Sequence, residues 1–331
     1  MAFEILRAIG SSNCSWCDCM NGESEISLSQ NATCHSGTPA DAEDAVVDIL
    51  TYLRELATEG PIHYVANPGN AGDSMIAHAT YRIFARLGIE VRPAALKGFD
   101  ATDKIVVFGG GGSLIGDINQ ASEFVAANHP QARKFVILPH TSQGHVGMLA
   151  SMGPNVELIA RELSSYEHLR AHASAAKVMI ADDLAFSIDI DELLITGGGA
   201  IRWDFQMKRF ARRHSMRLRE SLRRRFCAVD AIHCFRTDRE QTNQQRSRWN
   251  ADISKLFKCG VSTPALAARS SWMIFDFLQH YREIRTNRLH LAIAAALLGK
   301  QVKFYPNSYF KCHAVYEYSM RGRFANVEWM G

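Results

Sequence analysis

Four features of this 331-residue chain have the residue types and spacing to do chemistry. His290 stands near the start of the Ala/Leu-rich run RLHLAIAAALLG (288–299), with Ile293, Ala294 and Leu297 at i+3, i+4 and i+7. That spacing sends its imidazole to the buried side of a helix, close to the N-terminus. Imidazole is the side chain best matched to proton transfer near neutrality; burial and a helix N-terminus disfavour its charged form, and nearby anions favour it. A histidine so placed is more often a core residue, so spacing alone leaves both roles open. Asp73 directly precedes the helical run SMIAHATYRIFARLG, where a carboxylate acts as a helix cap or as an acid–base group. The glycines at 109–112 follow a buried strand, and there they make a tight turn or leave backbone N–H groups free to meet an anion. Between residues 202 and 225, ten Lys and Arg stand against only Asp204 and Glu220. This is the composition of a solvated interdomain helix, or of a surface that holds a polyanion, a diphosphate-linked substrate or an anionic membrane face.

Other chemistries fit less well. GGGGSLIG offers no glycine register of a dinucleotide fingerprint, and no Walker Lys-Ser/Thr follows it. Cys14, Cys17, Cys19 and the Cys34-His35 pair could bind zinc, but no second CxxC supplies a paired half-site, and the ordinary reading of residues 1–40 is a flexible Ser/Asn/Gly-rich leader. Two Asn-x-Ser/Thr triplets lie there without a secretory signal to give them meaning.

The elements that must position these residues alternate. Residues 41–58 carry apolar side chains at helical spacing, and Gly60-Pro61 ends the run. A strand at 62–66, the turn NPGNAGD (67–73) and a helix closed by Gly88 make one strand–loop–helix unit. Further strands are expected at 90–94, 104–117 entering the glycine loop, 135–142, 156–162 and 177–186, with a helix at 164–173. The second half reads as a strand at 227–238, a helix from 265 to about 280 that Ser270-Ser271 could split, a strand at 282–287, the His290 helix, a strand at 301–307 and a final helix. Such alternation predicts parallel sheets covered on both faces, with ligands at the carboxyl ends of the strands.

Length favours two domains. The expected divisions are the leader 1–40, an N-terminal Rossmann-like domain at 41–195, a basic connector at 196–225, and a smaller C-terminal Rossmann-like domain at 226–331 whose last helix packs back on the first. With 47% apolar and 21% charged residues, collagen-like, disordered and coiled-coil classes are excluded. A spanning segment and a signal peptide are not visible, so the expected location is cytoplasmic, with peripheral contact at the inner membrane face through residues 202–225. The net charge of +3 conceals a contrast: outside the basic connector, 27 basic and 32 acidic residues remain. Nucleic acid is not expected as a partner, since no recognisable module accompanies the basic run.

Several motifs together resemble the polysaccharide pyruvyl transferases: Asn70-Ala71-Gly72-Asp73, the glycine loop at 109–112, Ala160-Arg161-Glu162 with Ser165-Tyr166, Asp183-Leu184-Ala185-Phe186, and Thr286-Asn287-Arg288-Leu289-His290. The tail Asn307-Ser308-Tyr309-Phe310-Lys311 with Ala314-Val315-Tyr316-Glu317-Tyr318-Ser319 is similar to the exopolysaccharide branch. The resemblance covers about 61–190 and 262–320. It implies an α/β fold of two Rossmann-like domains facing across a cleft, GT-B-like, and transfer of the enolpyruvyl unit of phosphoenolpyruvate to two hydroxyls of a sugar as a cyclic ketal. It makes His290 the general acid, gives Arg161 and Lys311 the donor's carboxylate and phosphate, and leaves Asp73 as base or loop anchor. It also puts Asn70, Gly72, Gly110, Gly111, Gly112 and Ser113 from the first half, and Asn287 and Arg288 from the second, at the substrates. Lys303 is near enough in sequence to replace Lys311, and Thr141, Ser142 and Gln143 are further candidates for contact. The implied partners are phosphoenolpyruvate and a sugar of a polysaccharide repeat unit, lipid-diphosphate-linked or not. The implied chemistry needs no metal or other cofactor, and the chain shows no HExxH. The alternatives are a GT-B nucleotide-sugar glycosyltransferase and a noncatalytic polyanion- or membrane-binding protein on the same scaffold.

Overall fold

Short β-branched runs broken by glycine and polar turns form two parallel sheets. The computed structural model describes residues 40–117, 119–196, 207–227, 230–242 and 247–331. The cysteine-bearing leader and the first part of the basic connector lie outside the described residues. Strands β1 (Ile62–Val65), β2 (Val91–Pro93), β3 (Ile105–Phe108), β4 (Gly111–Ile115), β5 (Lys134–Gln143), β6 (Val156–Ala160) and β7 (Lys177–Ile180) make the first sheet. Its order is β2-β1-β3-β5-β6-β7, with β4 paired to the far half of β5. Strands β8 (Ala231–Cys234), β9 (Glu283–Thr286), β10 (Gln301–Phe304) and β11 (Val327–Trp329) make the second, ordered β11-β10-β9-β8.

Burial follows the pleat. Tyr64, Ile105, Val107 and Ile159 on one face of the first sheet belong to a core continuous with Ile284 and Phe304 of the second and with Leu291 of helix Leu289–Leu297. Val65, Phe108, Phe135 and Leu158, on the opposite face, pack a separate core under helix Gln120–Asn128. The two sheets meet through helices Ala71–Arg86 and Pro264–Leu278. There the Ser271 hydroxyl donates to Ser74 O (3.4 Å), and the Tyr81 hydroxyl to Val261 O (3.2 Å). The final turns also reach the first sheet, where the Ser319 hydroxyl donates to Asp182 (2.7 Å) and Phe324 stacks on Phe186. Residues Gly37–Gly331 pack as one compact unit.

Several elements differ from the sequence expectations. The helix expected over 41–58 is interrupted: a short helix spans Ala40–Glu43 and a second, capped by Asp48, spans Ile49–Thr58. Residues just before it pair instead with the β7 edge, where Val47 N–H donates to Ile180 O (3.0 Å) and Ile180 N–H to Ala45 O (3.0 Å). Edge pairing of this kind outweighs helical periodicity because it satisfies backbone groups that β7 leaves open. Pro264–Leu278 is unbroken: Ser270 and Ser271 are buried and donate to Leu266 O and Ala267 O, one turn back. The last helix is a short Lys311–Val315 segment followed by a π turn at Tyr316–Met320, and β11 lies beyond it, in a segment too short and mixed to show periodicity.

The described part of the basic connector is helix Met207–Cys227. Its inward arginines are consumed locally. Arg213 donates to Leu256 O and Lys258 O (2.7 and 2.8 Å), Arg217 pairs with Asp276 (2.8 Å), and Arg223 pairs with the buried Glu220 (2.9 Å). Much of the positive charge therefore docks this helix rather than forming a free polyanion surface. Among the described residues no helix is long and apolar enough to cross a membrane.

Candidate active site

The carboxyl ends of both sheets converge on a cavity of about 200 Å³. Leaving β1, the chain turns at Pro68 and enters helix Ala71–Arg86 through a capping box. Asn70 is the cap: its Oδ1 accepts the Gly72 N–H (2.7 Å), and Asp73 Oδ2 accepts the Asn70 N–H (2.7 Å). Asp73 thus completes the box from the third helical position and is not itself the cap. It and Asn70 both line the cavity.

The glycine run is a strand rather than a loop entering a helix. Gly111–Ile115 pairs with β5, and the next helix starts only at Gln120. Its N–H groups are therefore partly committed; that of Ser113 donates to His140 Nε2 (2.9 Å). Burial, reinforced by Arg161, pushes the His140 imidazole down to about 3, so it stays neutral and can accept. Asn67, buried at the end of β1, ties the strand down by donating to Gly110 O (3.2 Å) and accepting from the Ser113 hydroxyl (2.8 Å). Gly111 has φ +148°, and Gly112 faces the site: a Cβ there would lie 3.0 Å from Arg161 Nη2 and 3.6 Å from Lys311 Cδ. Gly112 and Ser113 line the cavity; Gly110 packs instead against Pro139 O.

Arg161 follows β6 and is 1% exposed. Its Nε donates to Thr141 Oγ1 (2.8 Å) and its Nη1 to Asp183 Oδ2 (2.7 Å), while Nη2 is directed toward Gly112 and the cavity. The neighbouring Glu162 caps helix Leu163–His172. Of the three candidates Thr141, Ser142 and Gln143, which end β5, Thr141 therefore positions Arg161. Ser142 N–H donates to Ser165 Oγ (2.8 Å), and none of the three lines the cavity.

Asp183 is the residue sequence reasoning left without a role. Its Oδ1 caps the turn at Leu184–Ser187, and its Oδ2 lies 2.7 Å from Arg161 and 3.4 Å from His290 Nε2. Although complete burial pushes the carboxyl up, His290 and the Arg161 guanidinium outweigh that and hold it well below the usual range. His290, at the second position of helix Leu289–Leu297, faces the cavity; its Nε2 is enclosed, without a well-aligned hydrogen bond. Its Nδ1 edge packs on Gly72, where any Cβ would collide with the ring.

The second sheet supplies cations. Lys311 is buried in the cavity wall, with Nζ 3.0 Å from Glu240 Oε2 and 4.8 Å from the Tyr309 ring centroid. Burial pushes its ammonium below the ordinary lysine range, against the opposing charge of Glu240. Lys303 sits in mid-strand β10, between Arg285 and Glu328, and does not line the cavity. Arg288 does line it, yet its guanidinium is held by Asp252 (both 2.6 Å) and Asp238 (2.9 Å). Asn287 lies outside the lining and positions Arg236, whose N–H donates to its Oδ1 (2.8 Å). Arg236, Glu240 and Ser254 complete the wall and were not foreseen, because they follow β8 in a polar stretch without periodicity. Among the described residues, no group of three or more His, Cys, Asp or Glu could hold a metal.

The family model for polysaccharide pyruvyl transferase matches residues 70–309. That span runs from the capping box to Tyr309 and includes the basic helix. The crystal structure of a functionally uncharacterized protein from Klebsiella pneumoniae is similar, with a TM-score of 0.68 and 29% identity, over 85% of this chain and 96% of that one. No curated protein matches.

Proposed function

Since the chain belongs to the polysaccharide pyruvyl transferase family, we propose that it moves the enolpyruvyl unit of phosphoenolpyruvate onto two hydroxyls of a polysaccharide-precursor sugar, releasing phosphate and leaving a cyclic ketal. The observation that carries this reading is the convergence of Arg161, His290 and Lys311 on one cavity from the strand ends of two parallel sheets, with the buried Asp183 joining Arg161 and His290 behind it. The two sheets are consistent with a GT-B-like cleft.

Each group has a task in that reaction. Phosphoenolpyruvate carries about three negative charges near neutrality, and Arg161 and Lys311, on either side of Gly112, are suited to its carboxylate and phosphate. His290 protonates the methylene carbon, C3, while Asp183, 3.4 Å from its Nε2, orients the ring. Protonation leaves an oxocarbenium-like centre at C2, which the first hydroxyl attacks. Phosphate then departs with the C–O bond electrons, and the second hydroxyl closes the ring, passing its proton to the released phosphate. Asp73, with one carboxylate oxygen committed to the Asn70 N–H, has its other oxygen available to accept a proton from an attacking hydroxyl. The cavity is smaller than the roughly 300–1,000 Å³ of sites for drug-sized ligands, which suits a three-carbon phosphoester better than a nucleotide sugar.

A lipid-linked acceptor would bring the enzyme to a membrane surface. The outward face of helix Met207–Cys227 carries exposed Leu218 (61%) and Leu222 (46%) between exposed Arg212 and Arg225, a pattern that suits an anionic lipid surface.

The deciding experiment is phosphate release from phosphoenolpyruvate by purified protein with a panel of lipid-linked and free oligosaccharides. Release dependent on an acceptor supports the proposal. Hydrolysis of a nucleotide sugar with phosphoenolpyruvate untouched overturns it in favour of a glycosyltransferase.

A further inference from the structure

Among the described residues, every arginine and lysine that lines the cavity is paired with a carboxylate. Arg161 is paired with Asp183, Arg288 with Asp252 and Asp238, Arg236 with Asp238 and Glu240, and Lys311 with Glu240. A donor bearing about three negative charges would find neutralised pairs, so a protein carboxylate has to leave before it can bind tightly. The side chains of Asp183 and Asp252 are 0% and 7% exposed, and Asp238, 23% exposed, is gripped through both of its oxygens by Arg236 and Arg288. Glu240 differs from all three. Its side chain is 32% exposed, and one oxygen, Oε2, gathers Arg236 Nη1 (2.7 Å), Lys311 Nζ (3.0 Å) and Asn307 Nδ2 (3.3 Å). Three convergent donors on one oxygen is the environment a phosphate oxygen requires.

We propose that Arg236 is a donor-binding cation held in reserve by Glu240, whose carboxylate occupies the place of the donor's phosphate on Arg236 and Lys311 until the donor displaces it. The inference rests on the reading that this cavity takes a phosphorylated donor. Arg236 is prepared for the exchange: its Nε and Nη2 bond the two oxygens of Asp238 (2.8 and 3.3 Å), so losing Glu240 frees Nη1 without releasing the guanidinium. Those cations also hold the Glu240 carboxyl below its usual range although burial opposes this, so the occupant is an anion at neutral pH. The exchange sets specificity. A monoanionic carboxylate entering the site merely replaces an equivalent group already present, whereas a phosphate dianion gains charge and oxygen acceptors on the same donors. The empty site, meanwhile, keeps its buried cations compensated.

The test is calorimetric titration with inorganic phosphate of the wild type, Glu240→Gln, Arg236→Gln and the double variant. Glu240→Gln is expected to tighten phosphate binding about tenfold, because a like charge leaves the site, and Arg236→Gln to weaken it by a similar factor. The double variant should lose most of the gain. Unchanged or weaker binding in Glu240→Gln, or no effect of Arg236→Gln, overturns the proposal. A crystal structure of the wild type with phosphate gives an answer independent of how the variants fold: phosphate on Lys311 and Arg236 with Glu240 turned away supports it, and Glu240 still on Lys311 with phosphate elsewhere overturns it. If phosphoenolpyruvate proves not to be turned over while the phosphate results come out as expected, the donor assignment falls and the displaced carboxylate stands. The reverse pair of results sinks only the present inference.

Discussion

Asp183 Oδ2 lies 3.4 Å from His290 Nε2 and at the same time 2.7 Å from Arg161 Nη1, with the Asp183 side chain fully enclosed. One buried carboxylate therefore links the proposed acid to the proposed donor clamp. It also commits one guanidinium edge to the protein, leaving Nη2 toward the cavity.

Asp183→Asn is expected to destabilise the fold by about 3–5 kcal/mol at neutral pH, since it leaves the Arg161 guanidinium buried without a counter-charge. The carboxyl's folded value lies below its unfolded value of about 3.9. Its stabilisation is therefore fully present above that unfolded value and is lost as pH falls through the folded one. Urea unfolding of wild type and variant from pH 7 to pH 2 should show the gap between them narrowing below about pH 4. A gap independent of pH would contradict the assignment.

His290→Gln should lower kcat by about 10²–10⁴-fold, with little change in donor KM and a melting temperature near that of the wild type. Its ring is part of the cavity wall rather than a core packing unit. Full activity would remove His290 from the chemistry. Unfolding without loss of specific activity in the remaining native fraction would return it to a core role.

Gly72→Ala tests the close approach of helix Ala71–Arg86 to the imidazole. The added methyl would meet the His290 ring below van der Waals distance, and His290 is fixed on its own helix, so the ring must shift. A displacement near 1 Å is worth on the order of 10²-fold in rate. Steady-state kinetics should show that loss in kcat, with phosphate affinity by calorimetry retained. Wild-type turnover would mean that the ring has room to give.

Lys311 supplies a pH signature. Because burial lowers its ammonium, rising pH should discharge it below the ordinary value of about 10.4, and donor affinity should fall along that limb. Lys311→Arg should flatten the alkaline limb, since a guanidinium keeps its charge. A limb that persists in the variant would place the titrating group elsewhere.

Leu218→Asp with Leu222→Asp should abolish co-sedimentation with vesicles rich in anionic lipid and leave activity on a soluble acceptor intact. Both side chains are exposed and neither lines the cavity. Binding by the wild type should weaken as salt is raised. Wild-type protein that ignores such vesicles would exclude this face as a membrane contact.

The sequence by itself determined the parallel α/β class and most strands, and it singled out His290, Arg161 and Lys311, which the fold brings to one cavity, because β-branched runs, glycine stops and ordered motifs are local signals. It also carried Asp183 within a quoted motif, but without a partner. Only the tertiary structure decided which neighbours meet. Arg161, Asp183 and His290 lie far apart along the chain and converge because parallel strands all end on one side. The glycine run became a strand because the unusually long β5 offered it backbone partners, a pairing no local pattern encodes. Arg236 and Glu240 were invisible for the same reason: their meaning is a charge balance across three segments. Three of the connector's arginines, conspicuous in the sequence, turned inward once Asp276, Glu220 and two backbone carbonyls stood opposite them. Local periodicity fixes which element a residue joins, whereas the pairing of charges depends on distances that exist only after folding.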